Sequence, residues 1–262
     1  MKKNKSLFPL LAIFLFWPVW GFVAAVGNPA GPSMLQEGFA VADDVFINLK
    51  FGVENTYINN EKLKFRQKFE NLDFKKPITS GFSAVGSFAL NIKERLELYG
   101  KAGILRFAFD FQREAIRYQA LGKNGLFLQG GGRAVIFEVK DLSLGADVRY
   151  LVTEAQAQSL TLNGAAAQPG ALKFYFKGWQ LGAGISYQTE ILCPFIGVVY
   201  RFARLKMKHA SFFPEEAIQM GQRHRGGMYL GATVSSHDTF LLEIELRLIN
   251  EKSATATGVW RF

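Results

Sequence analysis

The chain has 262 residues, with 31 Lys and Arg against 22 Asp and Glu, 25 Phe, 26 Gly and a single cysteine. That length admits one large domain or two small ones, and one thiol leaves no internal disulfide framework. Abundant aromatics with scattered glycines suit β-structure better than a helical bundle. Basic residues spread over alternating segments, with no groove-fitting helix or aromatic platform, argue against nucleic acid as a partner.

Residues 1–25, "MKKNKSLFPLLAIFLFWPVWGFVAA", read as a secretory signal peptide. They have a basic start (Lys2, Lys3, Lys5), an apolar middle and small residues at the end, and Val23 and Ala25 fit the cleavage rule, with Ala25 as the cleavage residue. Removing three lysines lowers the formal charge from +9 to +6. Residues 26–43 form an N-terminal segment, in which "MLQEGFAVA" (34–42) is a candidate first strand. Residues 44–262 form the main domain.

After residue 25 no run reaches the roughly 18–20 apolar residues of a spanning helix. Period-two alternation recurs instead. In "GFSAVGSFALNIK" Phe82, Phe88, Leu90 and Ile92 oppose Ser83, Ser87, Asn91 and Lys93. "LSLGADVRYLV" and "TFLLEIELRLI" set Leu144, Val148, Ile244 and Leu246 against Asp147, Arg149, Glu243, Glu245 and Arg247. "EKLKFRQKF" places Lys62, Lys64, Arg66 and Lys68 opposite Leu63, Phe65 and Phe69. Further strands are expected at 44–56, 95–109, 125–139, 172–188, 191–203 and 225–236. The last, "ATATGVWRF", ends on Phe262. Two strands change phase, "LRFAFDF" after Ile104 and "FYFKGWQLGAGISY" at Trp179. Each change marks a bulge or a strand reaching the membrane interface.

Alternation alone fits a soluble sandwich or a membrane barrel. Three features favour the barrel. The strands are long, where about 5–6 residues is typical of soluble sheets. Aromatics (Tyr150, Tyr187, Tyr200, Trp260) sit near strand ends. Tight turns near 58–60, 94, 140–141, 189–190 and 237–238 alternate with long connections at 70–79, 112–124, 153–171 and 203–224, although 250–253 is short. The expected fold is all-β: a transmembrane antiparallel up-and-down β-barrel with short periplasmic turns and longer extracellular loops. A closed barrel needs a final strand that pairs with the first, which explains a chain ending inside a strand. Trp260 and Phe262 are then the signal that assembly machinery reads. The candidate strands number eleven, whereas bacterial single-chain barrels use even numbers. Twelve strands are expected, with 34–42 or 113–120 supplying the missing one, and ten are the alternative.

On this alternation the pore-lining residues are Lys62, Lys64, Arg66, Lys68, Glu97, Lys101, Arg133, Asp147, Arg149, Arg201, Glu243, Glu245 and Arg247. Their excess is positive, and basic linings favour anions. If the 62–68 strand extends above the membrane, its lysines instead meet solvent or acidic headgroups. Inward Tyr99, Phe195 and Tyr229 are large enough to narrow or fill a small bore.

No catalytic constellation emerges. His209 and His224, with Ser211, Glu215 and Glu216, fall in a loop without ligand or triad spacing, and His237 suits a turn. The "GGG" at 130–132 lies within a strand, where it relieves crowding or permits a bend. No metal, cofactor or enzymatic activity is expected.

Several stretches together resemble the chlamydial major outer membrane porin family: "VGNPAGPSMLQEGF", "FALNIKERLELYGKAGIL", "GGRAVIFEVKDLSLGADVRY", "GWQLGAGISYQTEILCPFIGVVY" and the closing "LEIELRLINEK…VWRF". They fall in that family's order and cover about half of the chain. The resemblance implies a porin that is also a major structural surface component of the cell outer membrane. This chain departs in being short and in keeping only Cys193, so envelope cross-linking does not carry over beyond one intermolecular bridge. The expected function is a passive, weakly anion-preferring diffusion channel for small hydrophilic solutes and ions, surrounded by outer-membrane lipid, with a homo-oligomer among the arrangements it allows. The alternative is a structural or adhesive surface barrel with little conductance.

Overall fold

The closing strand does pair with the first. The computed structural model describes residues 25–31, 47–65, 74–113, 115–189, 191–208, 217–236, 240–249 and 251–261. Its strand segments are β1 (Ile47–Phe65), β2 (Phe74–Ile92), β3 (Leu96–Arg113), β4 (Ile116–Gly122), β5 (Gly125–Val139), β6 (Leu142–Leu162), β7 (Ala165–Ala167), β8 (Lys173–Tyr187), β9 (Leu192–Lys208), β10 (Ala217–Gln222), β11 (Gly226–Ser236), β12 (Phe240–Leu248) and β13 (Glu251–Arg261). All pairings are antiparallel, and β13 joins β1 with Phe51 opposite Trp260 and Thr56 opposite Thr255.

The ring β1-β2-β3-β5-β6-β8-β9-β11-β12-β13 closes with ten strands, the smaller of the two expected numbers. The odd count disappears by merging rather than by addition. Residues 44–56 and 61–69, expected as two strands around a turn at 58–60, form one continuous β1, and "INNE" (58–61) is a bulge. Asn-Asn suits a turn, but Ile58 is fully buried, and the bulge keeps both halves of the strand in the sheet. Residues 34–42 lie outside the described residues. Most of 113–120 belongs to β4, which continues into β5 as a single stave broken at Lys123–Asn124, since both segments pair with β3 and with β6. β10 and β11 likewise share one stave along β9.

Connections after β2, β5, β8 and β11 span two to four residues and define a turn end. At the opposite, loop end the expected long connections prove to be largely strand. β3 continues to Arg113, β6 to Leu162 and β9 to Lys208. The 21 residues of β6 reach roughly 70 Å at about 3.3 Å per residue, whereas a tilted membrane strand needs about 9–11. The cylinder therefore extends well beyond a bilayer.

Side-chain chemistry inverts along its length. In the turn half the exposed residues are apolar (Leu98, Leu128, Val148, Leu181, Ile196, Leu246), and the buried ones include Glu97, Arg149, Arg201 and Glu245. In the loop half the sides exchange roles. Phe107, Phe109, Phe111, Phe174, Leu205, Met207 and Met220 pack inside, while Gln112, Arg117, Gln119, Lys177 and Arg204 face out. Arg117 donates to Asp110 on this outer face, at 3.0 and 3.1 Å from Nε, and holds that carboxyl below its usual range. The two phase changes in the sequence, in β3 and β8, are this inversion. Pairing of 96–110 with β2 and of 173–186 with β9 runs through both without a slip, so neither is a bulge.

The ring also narrows. The β12–β13 hairpin stops at Ile249, and above it β1 pairs directly with β10, Leu63 opposite Gln222 and Phe65 opposite Met220. Eight staves remain at the loop end (β1, β2, β3, β4, β6, β8, β9, β10). Eight strands enclose an interior just wide enough for side chains to fill, which is why an aromatic cluster closes it. Ile249 at the hairpin tip has φ 84°, a region costly for β-branched residues. Ile249→Gly is expected to raise barrel stability by about 1 kcal/mol, read as a higher denaturant midpoint in detergent.

Candidate functional site

Among the described residues many ionisable groups converge in the interior of the turn half, and the strands put them there by alternation. From β1 come Lys50, Glu54 and Glu61, from β3 Glu97, Tyr99 and Lys101, and from β5 and β6 Arg133, Asp147 and Arg149. Arg201 lies on β9, and Glu243, Glu245, Arg247 and Glu251 lie on the β12–β13 hairpin.

Nearly all are paired. Lys50 Nζ lies 2.7 Å from Glu97 and Lys101 Nζ 2.5 Å from Glu54. Arg149 holds Asp147 at 2.8 Å through Nε and 2.7 Å through Nη2, and Tyr99 donates to the other oxygen of Asp147. Arg201 bridges Glu61, at 3.1 Å, and Glu251. Arg247 binds Glu245 at 2.7 Å and Glu251 at 3.2 Å. Among the described residues the lumen holds six cations (Lys50, Lys101, Arg133, Arg149, Arg201, Arg247) and seven carboxylates (Glu54, Glu61, Glu97, Asp147, Glu243, Glu245, Glu251). Among the described residues the lining thus carries no positive excess.

A peptide lies among these groups. Residues 25–31 thread the lumen and are held through their backbone. Carboxylates accept from one side: Glu54 from the Ala25 N–H at 3.2 Å, Glu245 from Val26 and Gly27 at 3.1 and 2.7 Å, and Glu243 from Asn28 at 2.9 Å. Cations donate from the other. Arg149 binds the Ala25 carbonyl, Arg133 those of Val26 and Asn28 at 2.8 and 3.1 Å, and Lys50 that of Gly31 at 2.9 Å. Asn28, fully buried, donates to Thr233 Oγ1 at 2.9 Å and to Cys193 Sγ at 3.2 Å, and accepts from the Ala30 N–H. Backbone that lies outside the sheet in a low-dielectric cylinder must find partners, and charge-assisted hydrogen bonds are the strong ones.

Little space remains. The cavity beside the segment, lined by Lys50, Glu54, Tyr99, Lys101, Arg133 and Glu243, is about 70 Å³. Phe195 and Tyr229 point inward as expected, and they fit because Gly231 and Gly197 lie against their rings, where a Cβ would collide. Above the ions the aromatic cluster begins. Phe107 sits 4.8 Å from Phe174, which stacks on Phe109 at 4.9 Å.

Nine of the residues expected to line the lumen do so: Glu97, Lys101, Arg133, Asp147, Arg149, Arg201, Glu243, Glu245 and Arg247. Lys62 and Lys64 do not. They are exposed on the outer face of the loop half while Leu63 between them is buried, because this end of β1 has passed the inversion and its polar side looks at water. Arg66, Lys68, His209, Ser211, Glu215, Glu216, His237 and Phe262 lie outside the described residues. Trp260 faces outward against Phe240, ring centroids 5.0 Å apart. Cys193 is buried and bonded to Asn28, so it is not available for a bridge to another molecule. Lys50, Glu54 and Glu251 were missed although their strands alternate legibly. Glu61 was hidden by the misread turn.

An ionic interior, an apolar outer belt and closure without an edge define a β-barrel of the membrane class. No family model and no curated protein matches the chain. Some solved structures align with it at low identity. The outer membrane protease OmpT of Escherichia coli is 8% identical, with 86% of this chain and 99% of that chain covered and a TM-score of 0.49. The outer membrane protein OprG of Pseudomonas aeruginosa is 8% identical over 82% and 95%, at 0.38. The toluene transporter TodX of Pseudomonas putida is 8% identical over 93% of each chain, at 0.35.

Proposed function

We propose that the chain is an outer-membrane barrel sealed along its axis, a structural and surface-presenting element rather than an open pore. The observation that carries this reading is the filled interior: paired ions and residues 25–31 in the turn half, an eight-stave aromatic cluster in the loop half. The tall polar collar above the apolar belt then carries the interactions, with outer-membrane lipid around the belt. A role in the envelope also accords with the resemblance of five stretches to the chlamydial porin family, and the outward Trp260 on the closing strand with recognition by assembly machinery.

Conductance in a planar bilayer tests it. Folded protein, identified by heat-modifiable gel migration, is expected to give no channel steps. Deleting residues 26–31, the part of the segment that follows the cleavage residue Ala25, is expected to leave it silent, because the aromatic cluster still blocks the loop end. Steps of constant size from the intact protein would restore the diffusion-pore reading, and their reversal potential in a salt gradient would then report the anion preference.

A further inference from the structure

One wall of the collar carries a cationic cluster that ring contacts account for only in part, Arg204 over Phe202 at 5.2 Å and Lys208 over Tyr175 at 5.0 Å. On the outer face of β8 and β9, Lys177 stands directly opposite Arg204 and Lys173 opposite Lys208. Directly opposed side chains in an antiparallel pair lie about 5 Å apart, and like charges there are destabilising. Lys206, on the same face, faces Tyr175. The carboxylate of this wall, Glu154, lies 3.8 Å from Lys173. Among the described residues none approaches Lys177, Arg204 or Lys206 within ion-pair distance.

The position of the cluster is as specific as its charge. One step toward the turn end, about 7 Å along the strands, the outward pair is Trp179 and Phe202, and Trp179 packs on Tyr150 at 4.7 Å. Such aromatics mark the interfacial level of a membrane barrel. The apolar belt starts below them with Leu181 and Val198. A groove of about 560 Å³ lies along this wall, with Leu126, Leu128 and Val152 on one side, Lys177, Arg204 and Lys206 on the other, and Glu154 between them. It is therefore amphipathic, with apolar surface beside the cations in one cross-strand row, Leu128 and Val152 next to Lys177 and Arg204.

We propose that this wall binds a phosphate-bearing lipid headgroup of the leaflet at the loop end. A multivalent anion between Lys177 and Arg204 turns that repulsive cross-strand pair into a bridged one. Clustered cations with an adjoining apolar surface give both charge and tail a place, as in other lipid-headgroup sites. Guanidinium forks suit phosphate oxygens, and the ammonium groups add point charge. The inference rests on the membrane reading above.

The test uses full-length folded barrel and the variant Lys177→Gln/Arg204→Gln, whose changes are on the exposed face. Nanodiscs of phosphatidylcholine alone, with lipid A, or with enzymatically dephosphorylated lipid A are compared by thermal unfolding and by lipid retained through purification. Lipid A is expected to be retained and to raise the unfolding temperature of the native protein. The variant is expected to bind it at least tenfold more weakly, and the dephosphorylated lipid to have little effect on either. Equal lipid A binding by the variant overturns the site. Equal stabilisation by inorganic phosphate in detergent, without lipid, overturns the lipid assignment and leaves a free-phosphate site. Insertion into phosphatidylcholine without any phosphate preference defeats this proposal alone, whereas failure to insert defeats the membrane reading with it.

Discussion

Replacing Arg201 by Met is expected to lower the unfolding free energy of the barrel by about 3–5 kcal/mol, the loss associated with stranding a buried charge partner. Arg201 is 5% exposed and lies where three parts of the molecule meet. Glu61 comes from the bulged middle of β1, Glu251 from the start of β13, and Arg201 itself from β9. Without the guanidinium, Glu61 keeps Gln222 at 2.9 Å, and Glu251 keeps Ser253 at 2.9 Å and Arg247 at 3.2 Å. Two carboxylates then share a site with one cation fewer. A denaturant titration in detergent, followed by tryptophan fluorescence and gel migration, measures the loss. Arg201→Met/Glu61→Gln is expected to recover part of it, because removing the stranded charge removes part of the penalty. A loss below about 1 kcal/mol would be the value of a solvated pair and would mean that the lumen is wet, which the sealed-barrel reading does not allow.

Phe174→Ala should cost a similar amount, about 3–5 kcal/mol, for an unrelated reason. Its ring is 1% exposed and fills the narrow eight-stave section between Phe107 and Phe109. Truncating a buried Phe loses its transfer free energy and leaves a cavity that the rigid wall cannot close. Equilibrium unfolding of the variant checks this. If the loop half were instead a water-filled vestibule, the ring would be solvated on one side and the loss would fall below about 1.5 kcal/mol. The two substitutions thus probe the two halves of the interior separately, one through charge and the other through packing.

Both arguments depend on the inversion of sidedness, and the sequence carried its trace. The apolar set of β3 passes from Leu98 and Ile104 to Phe107, Phe109 and Phe111, and that of β8 from Leu181 and Trp179 to Phe176 and Phe174. With a single sidedness assumed throughout, Lys62 and Lys64 go into a lumen. With the inversion, the same alternation puts them in water above the membrane. The assumption also made loops of strands: the described residues of 112–124, 153–171 and 203–224 lack the outward apolar residues of the belt, yet much of each range is strand with a polar outer face. Period two gives the faces of a strand but not the medium that each face meets, because lipid outside and a packed core inside select the same residue types.

Antiparallel strands, closure by the final strand and an ionic face opposite an apolar one are local properties, set by side-chain alternation over ten or so residues, and the amino-acid sequence was sufficient for them. Three matters needed the assembled cylinder. The register of β1 against both β13 and β2 turned an apparent turn at 58–60 into a bulge and made the count ten. The direct β1–β10 pairing above the hairpin narrowed the ring to eight staves and gave the phenylalanines an interior to fill. Lastly, residues 25–31 found their carboxylate and guanidinium partners up to 219 residues away. Which acid meets which backbone amide across a lumen is fixed by the shear of the whole barrel, and no short stretch of chain encodes it.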